Sequence, residues 1–268
     1  YGNFCKRSRK ADEITDGKDM YQFFIEDENA AEDFVTIEGS DVNHIKNVLR
    51  MRPGEKIRVC TRNGQNYFCS ISDITESFVR ADILEKEAES TELPCRIYLF
   101  QGLPKNDKME WIIQKTVELG VYEVIPVAMK NCVVKLDDKK AKSKVMRWQA
   151  IAESAAKQSK RSLIPEVKMP MSYKEAVAYA KELDVKLVPY ENEHGMAGTK
   201  AAMEQIKKGE SIAVFIGPEG GFAPEEIALV QDEMQLISLG KRILRTETAG
   251  IAALAILGYQ LESSDMIE

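Results

Sequence analysis

The sequence predicts an α/β protein in which a small, mostly antiparallel β-barrel precedes a larger domain built on a mainly parallel sheet. Two observations carry this expectation. Short apolar runs separated by turn signals fill residues 20–92, and from residue 93 to 268 strand-like runs alternate with helix-like ones. With 44% hydrophobic and 30% charged residues, the 268-residue chain has the apolar content for a sizeable core.

Taken in order, residues 1–19 mix both charges and lack an apolar segment, so they read as an expression leader. A transit peptide is the other reading; Asp12, Glu13, Asp16 and Asp19 argue against it, because such peptides are poor in acids. In the barrel, Phe34–Ile37, Ile57–Thr61, Tyr67–Ile71 and Phe78–Ile83 read as strands. Arg52-Pro53-Gly54-Glu55 and Arg62-Asn63-Gly64-Gln65 supply turns, and Asn63-Gly64 between two apolar runs is a hairpin signal, since both residues tolerate positive φ.

A charge cluster from Glu85 to Glu92 closes this part, and the rhythm then changes. Cys95–Gln101, Val121–Ala128, Val185–Tyr190, Ile212–Gly217 and Leu236–Leu239 read as buried strands. Asp107–Leu119, Lys139–Lys160, Ser172–Leu183 and Pro224–Met234 read as the helices between them. Asp107 with Glu110 has capping-box spacing, Gly120 stands where a C-terminal cap belongs, and Pro224 before Glu225-Glu226 marks a helix start. The last helix, Glu247–Leu261, is apolar on nearly every face, which predicts burial against the sheet or a second subunit.

The formal net charge of -6 excludes a uniformly basic nucleic-acid-coating protein, so any RNA contact needs a local basic surface. Cys5, Cys60, Cys69, Cys95 and Cys132 form no C-x-x-C, and the histidines are His44 and His194, so neither a disulfide framework nor a metal site is expected. The thiols read as small buried hydrophobes in a reducing cytoplasm, and no run approaches the roughly 18 apolar residues of a membrane span.

Chemistry concentrates near the C-terminal end. The run Ile212–Ile216 leads into Gly217-Pro218-Glu219-Gly220-Gly221-Phe222 and then a helix, which puts bare backbone at a strand's carboxyl end, where open α/β sheets bind ligands. Neither the P-loop pattern nor G-x-G-x-x-G is present there. Next, Leu236–Leu239 runs into Gly240-Lys241-Arg242-Ile243-Leu244-Arg245, followed by Thr246-Glu247-Thr248-Ala249 at the opening of a helix. Such a loop can offer backbone groups to an adenine edge and apolar cover to its faces. Taken alone, Arg242 and Arg245 would read as solvated surface charges.

The pairing of GPEGGF with LGKRILRTETA resembles the SPOUT class of methyltransferases, and more narrowly the ribosomal RNA small subunit methyltransferase E family. The resemblance covers Met20 to Leu261 and includes Leu103–Glu110, Lys115–Gly120 and Ala152–Arg161. In the last segment, the family's usual Glu-Gln-Ser-Gly-Arg appears as Lys157-Gln158-Ser159-Lys160-Arg161, so two positions depart. The resemblance implies a C-terminal domain tied in a trefoil knot, a PUA-like N-terminal barrel and a homodimer. It also implies S-adenosyl-L-methionine as cofactor and N3 of a uridine in small-subunit ribosomal RNA, within an assembled subunit, as the methyl acceptor. Residue by residue, it assigns the cofactor to Pro189, Tyr190 and Glu191, to Gly217, Glu219, Gly220 and Gly221, and to Leu239, Gly240, Ile243, Leu244 and Ala249.

Methyl transfer to a ring nitrogen needs alignment and the removal of one proton. Arg161, Lys115, Glu118, Arg245 and Glu247 are the candidates for that work, and each could equally serve as a cap or ion-pair partner. For RNA, Lys46, Arg50, Arg52, Lys56, Arg58 and Arg62 stand against the single acid Glu55 and suggest a basic face on the barrel. Ten Lys or Arg between Lys130 and Arg161 form a second stripe, for which a solvated helix is the competing explanation. A SPOUT enzyme acting on transfer RNA or on a ribose hydroxyl, and a non-catalytic ribosome-assembly protein, remain alternatives.

Overall fold

The computed structural model describes residues 20–87, 90–193 and 195–264. Residues 1–19, Cys5 among them, and His194 lie outside the described residues. Among the described residues the chain divides into two compact units, the first holding residues 20–60 and 66–87 and the second residues 61–65, 90–193 and 195–264.

The first unit is a five-stranded sheet. Its strands are β1 (Gln22–Ile25), β2 (Phe34–Glu38), β3 (Lys56–Thr61), β4 (Asn66–Ile74) and β5 (Phe78–Glu87), in the order β1-β3-β4-β5-β2. The pairs β3–β4, β4–β5 and β2–β5 are antiparallel. The two edge strands β1 and β2 also pack beside each other, so the sheet curls into the predicted barrel. β1 falls where alternating hydrophobics begin at Met20, although the sequence reading names no strand there. Alternating residues of every strand turn inward, and Phe23, Val35, Ile37, Ile57, Val59, Ile71 and Val79 form the core. Cys69 lies in that core, where burial pushes its thiol up to about 12. Between β2 and β3 a short helix α1 (Ser40–Asn43) runs into a π-helical turn, His44–Leu49, which Arg50 ends at φ +55°.

The second unit is the α/β domain. Its strands β6 (Arg96–Gly102), β7 (Val121–Ala128), β8 (Glu166–Val167), β10 (Val185–Pro189), β11 (Ser211–Ile216) and β12 (Gln235–Ile237) lie in the order β12-β10-β11-β6-β7-β8, every neighbouring pair parallel. The two-residue strand β9 (Met171–Ser172) also pairs with β7. Parallel strands covered on both faces have to be apolar throughout, and β11 meets that demand from Ile212 to Ile216. On one face Phe100 stacks on Phe215 at 4.3 Å between centroids, with Tyr173 and Tyr179 edge-on to this pair.

The helices are α2 (Lys108–Glu118), α3 (Asp138–Gln158), α4 (Tyr173–Ala180), α5 (Ala197–Glu204), α6 (Pro224–Val230) and α7 (Thr246–Ser264). Gly120 takes φ +91° just past α2, as expected of a C-terminal cap. Two details correct the sequence reading. The Asp107 side chain caps nothing, and Glu110 instead pairs with Arg147 of α3. The capping box forms at Ser172 and Glu175 on α4, while at α6 the Glu226 carboxylate accepts from the Ala223 backbone N–H. In α7, Ala253, Leu254, Leu257 and Leu261 face inward, whereas Ala255 and Tyr259 are exposed, Tyr259 by 75%, on the face that burial against a second subunit would cover.

Candidate functional site

The strands β12, β10 and β11 are neighbours and run parallel, so their carboxyl ends lie side by side. The loops that leave them, starting after Pro189, Ile216 and Ile237, enclose a cavity of about 850 Å³. This is the place where ligands enter an open α/β sheet, and the volume falls within the range of small-molecule sites.

Of the residues expected to hold a cofactor, Pro189, Tyr190, Glu191, Gly217, Glu219, Gly221, Leu239, Gly240, Ile243, Leu244 and Ala249 line this cavity. Gly220 does not; its backbone carbonyl accepts from Asn131 Nδ2 at 3.0 Å on the outer side of the turn. Lys108, Glu193, Phe222, Ser238 and Thr246 line it without having been singled out beforehand. Gly217 and Gly221 make a cradle that side chains would fill. A Cβ on Gly217 would lie 3.3 Å from Gly221 and Phe222, and Gly221 itself takes φ +67°.

The glycine turn is fixed from three directions. The Glu219 carboxylate accepts from the Lys105 backbone N–H at 3.0 Å and from Lys108 Nζ at 2.9 Å. Asn131 Nδ2 donates to the carbonyls of Gly220 and Gly221 at 3.0 and 3.2 Å. The Thr246 hydroxyl donates to the carbonyl of Gly217 at 2.6 Å. On the neighbouring wall, Thr199 of α5 accepts from the Ser238 N–H at 2.9 Å and donates to the Ser238 carbonyl at 2.8 Å, which ties down the start of the loop after β12.

Charge is distributed unevenly around the cavity. Lys108 Nζ bridges Glu219 and Glu247, at 2.9 and 3.3 Å. Its hydrogen bond to Glu219 raises the Lys108 pKa, so the amine stays cationic. Burial pulls the Glu219 carboxyl upward, but its hydrogen bonds to Lys108 and to backbone N–H groups outweigh this and leave it below the ordinary value. Glu191 and Glu193 stand on one wall, while Lys241, Arg242 and Arg245 are exposed on the loop opposite, with Ile243 86% exposed among them.

The five catalytic candidates separate. Arg245 lines the cavity and Glu247 reaches it through Lys108. Lys115 and Glu118 are not on its lining and pair with each other at 2.8 Å along α2. Arg161 is 3% exposed, also off the lining, and grips Glu92 through Nε and Nη2. Its Nη1 donates to the carbonyls of Val117 and Val121 at 3.1 and 2.7 Å. The preceding Lys160 takes φ +61° in a Schellman turn, where the Arg161 N–H reaches the Ala156 carbonyl at 3.0 Å. This is the position of the family's usual glycine, and a lysine there carries the left-handed strain that glycine avoids.

On the barrel, Arg50, Arg52, Lys56 and Arg62 are exposed. Lys46 is half-buried beside Glu76, with which it pairs. Arg58 corrects the reading of one open basic face: its side chain is largely buried and bonds Glu87 and Gln22.

Comparison with known proteins agrees with this geometry. An RNA methyltransferase domain family matches residues 91–258, and an RNA methyltransferase PUA domain family matches residues 37–84. The chain is 39% identical over 231 residues to the ribosomal RNA small subunit methyltransferase E of Bacillus subtilis, covering 85% of this chain and 90% of that protein. The protein of the same name from Mesomycoplasma hyopneumoniae is 35% identical, with 87% and 96% covered. A crystal structure of the Neisseria gonorrhoeae ribosomal RNA small subunit methyltransferase E bound to S-adenosyl methionine superimposes with a TM-score of 0.78 at 32% identity, covering 90% of this chain and 97% of that one. With both parts of the chain matched and its identity to these relatives spread over most of its length, the chain belongs to the ribosomal RNA small subunit methyltransferase E family.

Proposed function

We propose that the chain transfers a methyl group from S-adenosylmethionine to N3 of a specific uridine in small-subunit ribosomal RNA. The cavity at the carboxyl ends of β10, β11 and β12 carries the reading, because its walls suit that cofactor. The glycine cradle admits a ligand close to the backbone, Leu239 and Leu244 give apolar cover, and Glu191 and Glu193 would hold the cationic end. When bound, the cofactor supplies an electrophilic methyl group on a sulfonium centre.

The residues of this chain have two tasks: to orient the base and to manage the N3 proton. We assign proton acceptance to Glu247, whose Oε2 is buried, 3.3 Å from Lys108 Nζ and without a hydrogen bond of good geometry. Arg245, on the cavity lining, would stabilise the uridine anion. Lys115, Glu118 and Arg161 are left with structural work in this assignment.

The cations Arg50, Arg52, Lys56 and Arg62 on the barrel, and Lys139, Lys140 and Lys142 on α3, are exposed and suit phosphate contacts on an otherwise acidic chain. Removing the charges of Arg50, Arg52 and Lys56 together should weaken RNA binding and reduce the salt slope by about one per lost phosphate contact, with cofactor affinity unchanged. Fluorescence anisotropy across a salt series checks this; loss of cofactor affinity in the same variant would point to damage to the fold.

Two further features belong to the proposal. A trefoil knot in the second unit follows from family membership, and it would involve the segment that leaves the edge strand β12, forms the loop 238–245 and returns in α7 to pack on α2, β6 and β11. A homodimer is supported by the outer surface of α7, where Tyr259 stands exposed, and by Trp111 on α2, exposed by 52%. Among the described residues no helix is long and apolar enough to cross a membrane, and a ribosomal substrate implies the cytoplasm.

The deciding experiment uses small subunits from cells lacking the enzyme. Incubation with the protein and cofactor should yield N3-methyluridine, located by nuclease digestion and mass spectrometry. A methylated ribose, or methylation of transfer RNA alone, would replace the proposed acceptor, and calorimetry showing no cofactor uptake would leave only an RNA-binding role.

A further inference from the structure

The turn Gly217–Gly221 contains three glycines, and such a segment has no intrinsic reason to hold one shape. We propose that Gln101 and Thr246 are positioning residues that preorganise it for the cofactor; the inference rests on the cofactor assignment above. Gln101 is the penultimate residue of β6, just before Gly102, and its side chain is 0% exposed. Its Nε2 donates to the Gly102 carbonyl at 3.0 Å and to Thr246 Oγ1 at 2.9 Å. Thr246 Oγ1 in turn donates to the Gly217 carbonyl at 2.6 Å.

The directions are dictated by chemistry. A carbonyl accepts only, so the single hydroxyl proton of Thr246 must go to Gly217. The hydroxyl then has to receive from Gln101, which orients that amide with Nε2 toward Thr246. Gln101 Oε1 faces Gly250 of α7, where a Cβ would come within 3.3 Å. The relay therefore joins β6, the glycine turn and the first turn of α7. Two of its three members, Thr246 and Gly217, are themselves part of the cavity wall. With the other end of the turn held by Asn131, the cradle is shaped before a ligand arrives, which lowers the cost of binding.

The test compares Thr246→Val, which keeps the shape and removes the hydroxyl, with Thr246→Ser, which keeps the hydroxyl. Calorimetry with S-adenosylmethionine should give a Kd raised about tenfold or more for Thr246→Val and restored to within about threefold for Thr246→Ser. Gln101→Leu should weaken cofactor binding similarly, and the double variant should be no worse than either single change, because all three break one chain of bonds. The KM for RNA should stay near that of the parent protein. Should Thr246→Val not fold, Gln101→Glu carries the test: a carboxylate cannot donate, so its cofactor affinity should improve as the pH falls from about 8 to about 6, unlike the parent. Reduced melting temperature with unchanged cofactor Kd in the variants, or additive losses, would overturn the relay. If the unaltered protein binds no cofactor, the underlying assignment fails along with it.

Discussion

Gly102→Ala should cost the protein most of its cofactor affinity. Gly102 is the last residue of β6, and a Cβ placed there would lie 2.7 Å from Pro218 N and 2.8 Å from Pro218 Cδ. These are a backbone nitrogen and a ring carbon, so no rotamer change relieves the contact. Either the end of β6 or the glycine turn must move. Overpacking of this kind costs about 1–3 kcal/mol, and because Gly217 and Pro218 form part of the cavity wall, the displacement falls on the binding site. Expressed as affinity, that cost is roughly five- to 150-fold in Kd. Gly198→Ala is the control, since nothing lies within 4 Å of its Cβ position in α5 and the change should stabilise that helix by up to about 1 kcal/mol. Calorimetry with the cofactor on both variants decides: equal affinities would mean that β6 does not set the position of the turn.

The contrast between Gly102 and its neighbours bears on what a sequence can disclose. The parallel sheet was legible because buried parallel strands must be largely apolar: β11 is so from Ile212 to Ile216, and β6 and β7 are broken within their apolar runs only by Gln101 and by Glu123. The glycine turn was legible because it follows such a strand directly. Helix α5 was not: Gly195 and Gly198 interrupt its start, and no apolar stripe of useful length marks it. Composition alone leaves the cover of α7 open, since an all-round apolar helix can be covered by its own domain or by another copy. Gln101 and Asn131 gave no local signal at all, and Thr246 was marked only as part of a motif at a helix start, not by its bond to Gly217. Each is a single polar residue defined by a distant partner, 145 positions away for Gln101 and Thr246 and 89 for Asn131 and Gly220. Arg58 and Arg161 show the converse limit, because a cation in a basic stretch looks the same in sequence whether it faces solvent or an internal carboxylate.

Arg161→Ala should destabilise the second unit strongly, by about 3 kcal/mol, because it strips the partly buried Glu92 carboxylate of its cation and removes the donor that Arg161 gives to the Val117 and Val121 carbonyls. Glu92 accepts from Arg161 Nε and from the Ser162 backbone N–H at 2.8 Å, so the pair fastens the segment before β6 to the end of α3. Through Val117 and Val121 the same guanidinium also secures the end of α2 and the start of β7. Arg161→Lys should recover little, since an ammonium cannot match the planar fork that serves four acceptor atoms here. The informative variant is the double change Arg161→Met with Glu92→Gln, which removes both charges at similar volume. Replacing a buried ion pair together costs far less than breaking it, so chemical denaturation should show at least half of the lost stability restored. Single-turnover methylation then separates structure from chemistry. If Arg161 serves the fold, the double variant, once folded, should methylate saturating RNA at a rate close to the parent's. A folded double variant whose rate stays depressed a hundredfold would return Arg161 to the reacting base, and the structural assignment would have to be given up.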